Sequence, residues 1–181
     1  MNKFDELMAM NEKLDDVLND MKKANYHLEN ELKAKRNAAQ KQMFDDVAVL
    51  RVYIRKVGMS SVVLNTGVNP TCNKGYVAAL TVSTNTTDIG LRTMKATDHR
   101  EYSFHYWFDQ DIPIAEAKMN WTNEYSRDYM YAIMKNWDVA YENMQNDLFD
   151  KMQEFMEQKA NKVTKKQSDL VAALDDFDRK E

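Results

Sequence analysis

The chain has 181 residues, 44% of them apolar and 30% charged, with 25 Lys and Arg against 29 Asp and Glu for a net charge of -4. That near balance marks the chain neither as a basic protein that coats nucleic acid nor as an acidic one that mimics it. Four Gly and two Pro are far fewer than a chain of this length ordinarily carries, and all six fall between Gly58 and Pro113, which excludes an all-β sandwich or barrel, a collagenous chain and a Gly/Pro linker architecture.

The first segment, residues 1–46, predicts one long helix. Its apolar positions are Phe4, Leu7, Leu14, Leu18, Met21, Leu28 and Leu32, and Asn11 and Asn25 complete a 3,4,3,4 spacing without error. In heptad notation Phe4, Asn11, Leu18, Asn25 and Leu32 occupy a, and Leu7, Leu14, Met21 and Leu28 occupy d. Met8, Met10, Val17 and Ala24 on the flanking e and g positions make the apolar face wider than a two-stranded seam needs. Asparagine at a is best explained by the same asparagine of a parallel partner, which fixes register at some cost in stability. Leu7, Asn11, Leu14, Leu18, Met21, Asn25, Leu28 and Leu32 are therefore the candidate self-association residues of a homodimer or higher oligomer. The register lapses after Leu32, and Met43, Phe44 and Val47 resume an apolar face.

Residues 47–111 predict a small antiparallel β module. Ala48, Leu50, Val52 and Ile54 alternate with Val49, Arg51, Tyr53 and Arg55, a period of two that predicts a strand ended by Gly58. Further strands are expected at Ser61–Leu64, Tyr76–Thr84, weakly at Ile89–Thr97, and at Glu101–Phe108, with turns at Asn65-Thr66-Gly67 and Asn85-Thr86-Thr87-Asp88. The connections are too short for crossover helices, so the strands should run antiparallel.

Residues 112–181 predict a second long helix starting at Pro113, with an inner face of Trp121, Tyr125, Tyr129, Ile133, Trp137, Tyr141, Met144, Leu148, Met152 and Phe155. The polar stretch Lys159–Lys166 predicts a break near 160–166, with Thr164 and Gln167 capping a fresh helix that carries Leu170, Leu174 and Phe177. The fold class is thus α+β and predominantly helical, two long coiled-coil-like arms flanking a small antiparallel sheet.

Catalytic patterns are sparse: the sequence has no Gly-rich phosphate loop, no GxSxG elbow and no HExxH. His99 and His105 with nearby carboxylates are too few for a metal site, His27 sits on the polar side of the first helix, and the carboxylates after residue 113 lack the inward histidines of a di-iron bundle. No catalytic residue, metal or cofactor is expected, and the protein is not expected to be an enzyme. One further pattern bears on function. Tyr102, Phe104, Tyr106 and Phe108 are expected on one strand face, in a segment that also carries Arg51, Arg55, Lys74, Arg92 and Arg100. That is the composition of a platform on which bases stack while cations follow the backbone; the plainer reading is a sheet-to-helix core. Six Met between Met119 and Met156 fill helix contacts or adapt to a partner.

The expected function is a non-enzymatic protein–protein interaction or assembly protein. It self-associates through its long helices and presents a small β element to a protein partner, as a phage or mobile-element inhibitor or structural component would. The alternative is a nucleic-acid-binding protein whose β segment, at Arg51, Arg55, Lys74, Arg92, Arg100, Tyr102 and Tyr106, forms the contact and whose helices form a dimerisation stalk. The single Cys72, the amphipathic acidic N-terminus and the lack of an apolar membrane-crossing run point to the cytoplasm, or the host's cytoplasm for a phage product, and to no membrane contact.

Overall fold

A computed structural model describes residues 2–69, 75–95, 97, 102–119 and 125–179, with the backbone alone at 102–105. The chain is α+β and predominantly helical, with helices α1 (Lys3–Val57), α2 (Ser126–Lys135) and α3 (Trp137–Asp178) around a four-stranded antiparallel sheet. The strands are β1 (Ser61–Asn65), β2 (Tyr76–Ser83), β3 (Ile89–Lys95) and β4 (Tyr102–Phe108), in the order β1-β2-β3-β4. The chain divides into two units, residues 1–39 and residues 40–181.

Both ends of α1 are closed by local chemistry. Asn2 Oδ1 accepts from the Phe4 and Asp5 amides at 2.7 and 3.1 Å while the Asn2 amide donates to Asp5 Oδ2 at 3.2 Å, a reciprocal cap that satisfies the first orphan donors. At the other end Gly58 takes φ +88°. Its amide donates to the Arg55 carbonyl and the Met59 amide to the Ile54 carbonyl, both at 3.1 Å, the two bonds of a Schellman stop.

The segment predicted as a strand from Val47 to Arg55 is therefore the last part of this helix, and Gly58 is a helix cap. Burial shows why: Gln40, Met43, Phe44, Val47, Leu50, Arg51 and Ile54 form one buried helical stripe, while Ala48, Val49, Val52 and Tyr53 are exposed. Alternation over eight residues is compatible with both periods, and packing selects the helical one.

The sheet core is built from Val62, Leu64, Ala78, Leu80, Val82, Ile89, Leu91 and Phe108, all buried. The strands match the expected positions, and the turn after Asn65 keeps its Asx bond, Gly67 N to Asn65 Oδ1 at 2.8 Å. Gly67 lies at φ +67° with Asn143 beside it, and Gly90 leaves room for the Trp107 ring.

Residues after Pro113 depart from the expected single helix. Ile114–Glu116 is a short 3-10 turn, α2 follows from Ser126, and the helix path resets at Asn136 (φ -113°) before α3. From Trp137 to Asp178 α3 is continuous, so no break occurs at 160–166. Thr164 Oγ1 donates to the Ala160 carbonyl at 3.1 Å, the back-bond that lets a threonine sit inside a helix and not cap one.

Within residues 40–181 the helices are tied to the sheet by polar clamps as well as apolar burial. Trp137, Ala140, Met144 and Leu148 form the buried face of α3, and the outward side of β1 is closed by α3 side chains. Asp147 accepts from the Asn65 amide at 2.8 Å, Lys151 donates to the Val63 carbonyl at 2.6 Å and pairs with Asp147 at 2.7 Å, and Asn143 donates to the Thr66 carbonyl at 3.0 Å. An edge strand closed in this way no longer offers a free ladder to another chain. Gln40 bridges the Ile112 carbonyl and the Ile114 amide, both at 2.9 Å. Trp137 Nε1 donates to Asp46 at 2.7 Å, and burial together with Asp46 pushes the Tyr141 hydroxyl pKa up.

Candidate interaction surface

Within residues 1–39, every seam position from Phe4 to Leu32 is exposed. The apolar members Phe4, Leu7, Leu14, Leu18, Met21, Leu28 and Leu32 are between 43% and 77% accessible. Met8, Met10 and Val17 widen the same exposed face, and Leu7, Met8, Met10, Asn11, Leu14 and Val17 border an open groove of about 690 Å³. Scattered exposed apolar residues are ordinary on protein surfaces, but a continuous row over four heptads is not. The polar seam residue Asn11 donates to Asp15 Oδ2 at 3.3 Å, one helical turn along.

The seam's period fixes what kind of surface can cover it. Heptads repeat every 3.5 residues against 3.6 for a straight helix, so the stripe drifts by about 20° per heptad. A flat surface loses contact with such a stripe, whereas a second helix supercoiled with it keeps contact throughout. The 3,4 spacing resumes at Gln40, Met43, Val47, Leu50 and Ile54, one residue out of the earlier register, and there the residues are buried. Two distinct stripes therefore lie on one helix, one closed by the protein's own sheet region and one open.

Adjacent g and e positions in a parallel pair are Lys3/Met8, Met10/Asp15, Val17/Lys22, Ala24/Glu29 and Glu31/Arg36. No pair joins like charges, and the last joins opposite ones. Glu31 also pairs along its own helix with Lys35 at 2.6 Å, a fully exposed contact in which Lys35 holds the Glu31 carboxyl below its ordinary range and Glu31 raises Lys35.

In the second candidate set, on the β segment, the described arginines are bonded to the chain itself. Arg51 is buried at 8% accessibility, and its guanidinium is spent on the chain itself, Nε to the Ser83 carbonyl at 2.7 Å and an Nη to the Thr87 carbonyl at 3.1 Å. Burial lowers its pKa most, with Arg55 adding to the fall. Arg55 donates to the Thr84 carbonyl at 3.2 Å, so both arginines tie α1 to the β2–β3 turn. Arg92 Nε donates to Thr81 Oγ1 at 2.7 Å, and Tyr106 donates to the Lys118 carbonyl at 3.2 Å.

The expected single aromatic row is broken by a register shift. Tyr106 and Phe108 stand opposite Leu91 and Ile89, whereas Tyr102 and Phe104 stand opposite Met94 and Arg92. Successive β3 positions alternate between the two faces, so the four aromatic positions do not fall in one row. Lys74 and Arg100 lie outside the described residues, as do His99 and residues 120–124, which include Trp121 of the expected inner face.

Among the described residues, no group of three or more His, Cys, Asp or Glu side chains is placed to hold a metal ion, and no helix is long and apolar enough to cross a membrane. Comparison with protein-family models, with curated proteins and with solved structures finds no match to this chain.

Proposed function

We propose that the protein is a non-enzymatic assembly protein that self-associates in parallel through residues 4–32 and holds out its four-stranded β element toward a protein partner. One observation carries this reading: an error-free heptad seam whose seven apolar members are all exposed. Burying one such Leu or Phe side chain against a partner contributes about 1.5–3 kcal/mol, and a helix of this length takes most of its stability from packing.

The two asparagines select the orientation. Antiparallel pairing sets each a residue opposite a d residue, and Asn11 and Asn25 would then face the Leu or Met of the seam's d positions. Parallel in-register pairing sets Asn11 against Asn11 and Asn25 against Asn25, where each amide finds a donor and an acceptor. A nucleic-acid platform has less support, since Arg51 is buried and the aromatic positions are divided between two rows.

Dilution monitored by far-ultraviolet circular dichroism tests the reading. The wild type should lose helical signal as it is diluted, because residues 3–35 depend on a partner for packing. Leu14→Glu/Leu18→Glu should show the lower signal at every concentration with the sheet intact. A wild-type signal independent of concentration, and equal to that of the variant, overturns it.

A further inference from the structure

The last part of α3 repeats the same logic at a place where sequence reading expected a helix break. Met156, Ala160, Val163, Gln167, Leu170, Leu174 and Phe177 step by 4,3,4,3,4,3 along an unbroken helix. Ala160, Gln167 and Leu174 thus take a, and Met156, Val163, Leu170 and Phe177 take d. The five large apolar members are 49% to 70% accessible, and Val171 beside them is also exposed. This stretch contains Val163, Thr164, Ser168, Asp169 and Val171, which are middling helix formers. A helix of such composition is stable chiefly when an apolar face is packed.

We propose that residues 156–177 form a second self-association site, occupied by the same segment of another copy running parallel and in register. This extends the assembly reading to a separate set of residues. The match of Gln167 to itself and the absence of like-charge pairs argue for this occupant and direction. In parallel register Gln167 faces Gln167, and the flanking pairs Met152/Glu157, Lys159/Thr164, Lys166/Val171 and Ala173/Asp178 contain no like charges. Lys166 can also lay its methylene stem over the partner's Val171.

The antiparallel registers are worse on both counts. Full overlap sets Gln167 against Leu170 and Glu157 against Asp178, while a shift of one heptad sets Gln167 against Val163 and Lys166 against its own copy. A buried amide facing an aliphatic side chain and a like-charge pair each cost stability. With one homotypic site on α1 and another on α3, a copy held at one site still has the other open, and occupation by different neighbours builds a chain of copies in place of a closed dimer.

Sedimentation equilibrium on three full-length variants tests this. Leu14→Glu/Leu18→Glu disables the α1 seam, Leu170→Glu/Leu174→Glu the α3 seam, and the four changes together disable both. All substituted positions are exposed, so the core is untouched. Either seam variant alone should remain associated, in smaller species than the wild type, and the combined variant should be monomeric.

In a Cys72→Ser background, Gln167→Cys should also form an interchain disulfide on mild oxidation, because parallel pairing brings the two positions within bonding distance. If the α1-seam variant is monomeric and no disulfide forms, while the α3-seam variant stays associated, the inference fails and the α1 reading stands. If the α3-seam variant is monomeric and the α1-seam variant is not, the α1 reading fails and this one stands. If each seam variant alone is monomeric, the two seams pair with each other across copies and the homotypic assignment is overturned.

Discussion

Arg51 is spent on the chain's own backbone. Counted with the other cations of residues 48–111 it makes the segment look able to bind a phosphate backbone, yet its guanidinium closes two carbonyls, those of Ser83 and Thr87. Hydrogen bonds to a charged donor are worth about 1.5–3 kcal/mol each, and the Thr87 carbonyl, on an exposed residue, can turn to water when its bond is lost. Arg51→Met should therefore lower the unfolding free energy measured in urea by about 1.5–3 kcal/mol, with the expectation resting chiefly on the bond to Ser83. Unchanged stability together with a lost affinity for oligonucleotides would restore the platform reading. Gln40 is a comparable case: a polar residue in an otherwise apolar stripe, buried because its amide is shared between Ile112 and Ile114.

At the scale of elements, the two asparagines of the α1 seam invite a direct exchange. Asn11→Leu/Asn25→Leu replaces matched polar layers by apolar ones, so thermal stability should rise while the single oligomeric state gives way to several. Circular dichroism melting and sedimentation velocity measure the two effects. Unchanged stability with an unchanged state would mean that neither asparagine faces a partner helix.

The elements also divide clearly by what the sequence makes legible. The heptad spacing of residues 4–32 holds over its whole length, and the four strands can be placed because runs of β formers lie between turn residues. The stretch 47–55 cannot, since Leu50 and Ile54 satisfy both periods at once. Two signals there favour helix, the absence of any Gly or Pro before Gly58 and the basic last turn Arg55-Lys56. The region after Pro113 was misleading in the opposite sense. Its aromatic spacing runs unbroken through Asn136, where the backbone resets, and Lys159–Lys166 looks like a break only because its charges hide the 4,3,4,3 spacing of Met156 to Phe177. The shift that divides the aromatic strand is a bulge, which leaves no mark in a strand whose residues are all good β formers.

For the whole molecule, the contrast between finished and unfinished surfaces carries the account. In residues 40–181 the sheet has a buried core, and the β1 edge is capped by Asp147, Lys151 and Asn143. Within residues 1–39 the α1 seam is a row of exposed apolar side chains. Under the proposed reading, this open four-heptad seam is the surface that another chain completes. Sedimentation equilibrium of the wild-type protein at micromolar concentration tests this most directly: the account predicts a mass of two or more chains that falls toward one on dilution, and a single-chain mass throughout would contradict it.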